Sequence, residues 1–139
     1  MKTLISAILI CFSSFALATD ASWEKSRVGY TIYYSGGYAE TPFNDLNVPR
    51  YGTSITNVTW DYNELPATNT IVKLCYQKQY SHSNYECIDI TGAPQGNSDS
   101  FNGLDARGTF QLYMRAFGDN FPIYSTQRLP DTVRVDYNF

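Results

Sequence analysis

One histidine, His82, stands in this chain of 139 residues. A hydrolase triad needs a base beside a nucleophile and an orienting acid. Here the only histidine base sits in Ser81-His82-Ser83, among polar residues, and sequence neighbours alone do not make that geometry. A G-x-S-x-G elbow and a glycine-rich phosphate loop are both missing. The thirteen acidic residues are spread singly. Asp61 and Glu64 are the closest sensible pair for glycoside hydrolysis, with Asp136 on the polar side of the last strand, and scattered surface acids are the plainer reading. Asp99, Asp105 and Asp119 fall in loop segments without the D-x-D-x-D spacing of a calcium loop. No catalytic residue, metal ligand or cofactor is expected from these residues.

Charge of one sign is also missing as a cluster. No basic patch is present for nucleic acid, and no Lys/Arg-rich amphipathic segment for anionic lipid. The longest apolar run, Leu4 to Phe15, is shorter than the roughly 20 residues of a membrane span. With Lys2 before it and Ala16-Leu17-Ala18 after it, the run reads as a secretory signal peptide over residues 1–18, cut after Ala18. Export to an oxidising compartment is therefore expected, without stable membrane insertion. Ile10 stands where a lipid-attachment site before Cys11 needs a small residue. Losing Lys2 leaves nine basic residues against thirteen acidic, which takes the net charge from −3 to −4. Losing Cys11 leaves Cys75 and Cys87, an even pair with too few further soft ligands for a metal.

Aromatic residues are abundant: twelve Tyr, eight Phe and two Trp. They suit strands, and exposed tyrosines suit recognition surfaces. From Thr70 to Thr91 two alternating runs flank a polar loop. Val72, Leu74 and Tyr76 share one parity, and Ile88 and Ile90 share one after the loop. Cys75 and Cys87 both take the more polar parity. That pattern predicts a β-hairpin whose cysteines meet across its outer face. A disulfide there adds roughly 2–3 kcal/mol on the chain-entropy picture.

Further strands are expected over Arg27 to Tyr34, Ser54 to Tyr62, Thr109 to Phe117 and Asp131 to Phe139, with a short strand or corner at Phe101 to Leu104 and a short piece at Phe121 to Tyr124. In the first, Val28, Tyr30, Ile32 and Tyr34 share a side. In the second, Thr56, Val58, Trp60 and Tyr62 do. The prolines and asparagines of Tyr38 to Thr53 read as a long loop, with at most a short edge strand. Gly92 to Ser100 reads as a loop. Asn57-Val58-Thr59 matches a glycosylation acceptor inside a strand, where a chance match is the better explanation. Residues 19–139 are thus expected to form one antiparallel β-sandwich, or a barrel-like relative, of seven or eight strands with one disulfide.

Several separated segments together resemble the flagellar protein FlhE family. They are Trp-Glu-Lys-Ser-Arg-Val-Gly-Tyr-Thr from Trp23, Ile-Thr-Asn-Val-Thr-Trp-Asp-Tyr from Ile55, the cysteine hairpin, Ser-Phe-Asn-Gly-Leu-Asp-Ala from Ser100, and the closing Val-Arg-Val-Asp-Tyr-Asn-Phe. The resemblance covers most of residues 19–139. It implies a small periplasmic β-sandwich without catalytic residues. It implies a protein partner in the flagellar rod or export apparatus, and a chaperone-like or plug-like role that limits proton leakage. The loop from Tyr76 to Glu86 is longer than the family's hairpin tip, and Arg115 to Leu129 is only loosely similar. The enlarged tip makes Tyr76, Tyr80, His82 and Tyr85 the candidate partner-binding residues. A periplasmic or secreted inhibitor or glycan-binding module is the competing reading. Unpaired sheet edges leave both a monomer and a homodimer open.

Overall fold

The computed structural model describes residues 17–124 and 129–139. Apart from its last two residues, the expected signal peptide lies outside them. Among the described residues the chain forms eight strands. They are β1 (Asp20–Arg27), β2 (Tyr38–Phe43), β3 (Ser54–Asp61), β4 (Asn69–Gln77), β5 (Glu86–Asp89), β6 (Gln95–Ser98), β7 (Thr109–Phe117) and β8 (Asp131–Asn138). They build two antiparallel four-stranded sheets, ordered β1-β8-β3-β6 and β2-β7-β4-β5. Trp23, Ile55, Val58, Trp60, Val133, Val135 and Tyr137 line the inner face of the first sheet. Phe43, Val72, Leu74, Tyr76, Phe110, Leu112 and Met114 line that of the second. Each such side chain stabilises by roughly 1.5–3 kcal/mol when fully buried, so the two faces together supply the main drive for folding. No helix among the described residues is long and apolar enough to cross a membrane.

Period-2 alternation is followed in β7 and β8, and in β4 apart from Cys75, which is buried although it takes the outer parity. In β3 it breaks. The register with β8 shifts between Ile55 and Asn57, a β-bulge. Ile55 and Val58 both point inward, and Thr56, expected on the inner side, is exposed. At the chain's end Val133, Val135 and Tyr137 are buried, but Phe139, beyond β8, is half exposed.

The first strand lies earlier than its sequence suggests. β1 covers Asp20 to Arg27, including residues that read as a polar lead, and the segment after it is not a strand. β8 sets this limit: it pairs with β1 from Asn138 opposite Asp20 to Asp131 opposite Arg27, and β8 begins at Asp131. Of Val28, Tyr30, Ile32 and Tyr34, read as sharing one side, only Ile32 is buried, held by a single bridge to Ile123. Trp23 anchors β1, because its indole Nε1–H donates to the Ala106 carbonyl at 3.0 Å.

Two elements emerge from segments that read as loops. β2 is the short edge strand that opens Tyr38 to Thr53. Its Pro42 is tolerated because an edge strand needs donors on one side only. β6 pairs with the end of β3, with Gly96 directly opposite Trp60. A Cβ at Gly96 would stand 2.6 Å from Trp60 Cζ2, so the strand lacks a side chain where the indole lies. Phe101 to Leu104 forms a turn, the corner rather than the strand of the two readings, with Phe101 fully buried.

Candidate functional site

The loops 44–53, 78–85 and 99–108 join β2 to β3, β4 to β5 and β6 to β7, so the topology gathers them at one end of the sandwich. Asp105 ties two of them together. Its Oδ1 accepts from the Thr53 hydroxyl at 2.7 Å and from the Arg107 backbone N–H at 2.9 Å. The Ala106 N–H in turn donates to Thr53 Oγ1 at 3.1 Å. Asp105 is therefore committed to loop structure.

The third loop is held by the hairpin. Cys75 and Cys87 lie directly opposite each other and are joined by a disulfide, with a Cα–Cα separation of 4.0 Å. Cys75 is nevertheless buried while Cys87 is exposed, so the outer face is covered at one end of the bridge. Tyr76 departs from its expected role as a surface residue. It is 1% exposed, because the parity it shares with Val72 and Leu74 turns it into the core. Its hydroxyl donates to the Asp105 carbonyl at 2.8 Å. Its ring meets Phe110 edge-on at 5.4 Å. Burial first, and the Asp105 carboxylate second, push its phenol up to about 12.

The other three candidates are exposed side chains of the one loop, 78–85. Tyr80 is 85% exposed, Tyr85 is 55% exposed and His82 is exposed. Tyr80 has φ of 63°, in the left-handed region that side chains of its size rarely occupy. Strain of that kind clusters at functional sites. Tyr85 stands edge-on to Tyr76 at 6.5 Å, and Lys78 Nζ lies 3.9 Å from the Tyr85 ring centroid. Ser81 and Ser83 bond each other, through the Ser83 N–H to Ser81 Oγ at 3.2 Å. Beneath Tyr80 a shallow depression of about 360 Å³ runs between Lys78, Gln79 and the turn Gly103 to Asp105. A rigid floor carrying exposed rings and one cation suits docking of a partner.

Two of the acidic candidates have partners of their own. Asp61 accepts from Gln95 Nε2 at 3.3 Å, Asp136 is paired with Arg134 at 3.0 Å, and Glu64 is exposed in the connection from β3 to β4. Among the described residues no three His, Cys, Asp or Glu side chains cluster in a way that could hold a metal ion. Asn57 donates to Thr59 Oγ1 at 3.2 Å within β3.

Sequence reasoning missed a second exposed aromatic group, Tyr30, Tyr33, Tyr34 and Tyr38, at the opposite end. A signal was present: tyrosine occurs on both parities of this segment, which a half-buried strand does not require.

The class of protein is thus a two-sheet antiparallel sandwich with a disulfide-closed hairpin and a three-loop end. More particularly, the fold is FlhE-like. A crystal structure of FlhE matches with a TM-score of 0.57 at 22% sequence identity, over 86% of this chain and 96% of that one. The sequence matches no family model and no curated protein.

Proposed function

We propose that this protein is a non-enzymatic, periplasmic accessory protein of flagellar biogenesis. In this reading the signal peptide delivers it to the periplasm, where the disulfide forms. It binds a component of the flagellar rod or export apparatus in a chaperone-like or plug-like manner, and so limits proton leakage through that apparatus. The observation that carries the reading is the FlhE-like fold over 86% of the chain, in company with the ordered segments named above. The partner-facing surface is the hairpin tip, with Tyr80, His82 and Tyr85 as contacts and Tyr76 as the buried support beneath them.

Deletion of the gene, scored for motility, proton leakage and misplaced filaments, tests the role. Defects restored by the wild-type gene are expected. Normal scores in a flagellated host, or a host without flagella, count against it.

A further inference from the structure

We propose that the tyrosine ridge at the end opposite the hairpin tip is an isologous interface between two copies of this chain. The ridge starts after β1 and runs into β2. Tyr30, Tyr33, Tyr34 and Tyr38 are each 61–71% exposed there.

The backbone that carries the ridge is well held. Ile32 N–H and C=O both bond Ile123, at 3.0 and 2.8 Å. Gly36 N–H donates to the Ala116 carbonyl at 2.8 Å, and Ala116 N–H to that of Gly37 at 3.2 Å. Arg115 Nε–H donates to the Gly36 carbonyl at 2.8 Å, and the guanidinium lies 5.2 Å from the Phe117 ring centroid. Tyr38 stacks on Tyr113 with centroids 5.4 Å apart. A ridge fixed in this way has little conformational entropy left to lose on binding.

Size and chemistry both favour a second copy. A buried aromatic side chain covers roughly 150–250 Å². The four tyrosines at their present exposure therefore offer on the order of 500 Å². Val28, Tyr113 and Tyr124 bring the patch close to the roughly 800 Å² per partner of a stable interface. A two-fold axis sets a patch on itself, so the patch must complement itself. This one does. Each phenol both donates and accepts, and Arg115 and Glu40 supply opposite charges in adjacent rows of the same sheet face. The alternative of joining sheets edge to edge is disfavoured on the flank where β1 and β2 lie. β2 carries Pro42, and β1 turns Lys25 inward to an ion pair with Asp45 at 3.3 Å.

Sedimentation equilibrium of the oxidised protein tests this. Wild type should show a concentration-dependent rise from monomer to dimer mass. The Tyr33→Ser/Tyr34→Ser variant should raise the dissociation constant by about tenfold or more. A Tyr51→Ser/Tyr80→Ser variant at the other end should dimerise like wild type. Hydrogen exchange gives a readout on the wild type alone: amides of residues 28–38 should gain protection as concentration rises. A wild type that stays monomeric up to about 1 mM overturns the proposal. So does an unweakened ridge variant, a weakened Tyr51/Tyr80 variant, or protection confined to other segments. Neither the mass nor the exchange readout depends on flagellar function, so this inference and the proposed function stand or fall separately.

Discussion

Tyr76 shows how one side chain links core and loop. Its ring fills the space between the sheets, and its hydroxyl satisfies a carbonyl of the neighbouring loop. Tyr76→Phe keeps the ring and leaves the Asp105 carbonyl without that donor. A loss of roughly 1–3 kcal/mol is expected in urea denaturation. The titration adds a second signature. The phenol is held near 12 in the fold against an ordinary 10.0. An unfolded chain loses this proton first, so the contribution is fully present below about pH 10 and is lost as pH rises towards 12. Tyr62, raised by its own burial, acts in the same direction. Tyr76→Phe should therefore flatten the alkaline limb of stability against pH, and an unchanged limb would contradict the account. Gly96 is the converse case, a residue whose value is what it lacks. Gly96→Ala drives a Cβ into the Trp60 indole, and a loss of about 1–3 kcal/mol is expected. The inward side of β4 was legible from alternation alone, and so was the placement of Tyr76. Its role was not, because a tyrosine beside a polar loop reads equally as surface. Gly96 was illegible for a different reason: a glycine in a polar stretch signals a loop until its partner strand is known.

Among the elements, the hairpin is the most autonomous. Its strands pair locally, and its cysteines are separated by 12 residues. Cys75→Ala/Cys87→Ala should lower stability by roughly 2–3 kcal/mol. The midpoint of denaturation should fall while the slope stays close to that of wild type. Mass before and after reduction and alkylation should show one bridge in the protein isolated without reductant, and two free thiols there would contradict the pairing. Elements defined by local pattern were legible: β4, β5, β7 and β8 match their alternation closely. Elements defined by their partners were not. β1 stops where β8 begins, β6 exists because β3 offers an edge, and the bulge in β3 reverses a parity that alternation could not foresee. The segment after β1 reads as a strand by composition, yet it passes from one sheet towards the other and is held by a bridge and two glycines.

For the whole molecule, the topology matters more than any one strand. β8 lies inside its sheet, between β1 and β3, and its first residue, the buried Asp131, accepts the Asn63 N–H at 2.8 Å. The sandwich places its two exposed tyrosine groups at opposite ends. One, on the hairpin tip, is the surface proposed for the flagellar partner. The other is the surface proposed for a second copy of the chain. A dimer joined at the ridge would present two tips pointing away from each other, so avidity towards a repeating assembly would follow without any new contact. Fold class and the hairpin end were legible from sequence, whereas the ridge required the positions of both sheets. The central claim is that the tip engages the flagellar apparatus. A photo-crosslinking residue placed at Tyr80 in the living host tests it most directly. The account predicts an adduct with a rod or export component that disappears in a strain lacking the flagellum. Adducts that are the same with and without the flagellum would contradict it.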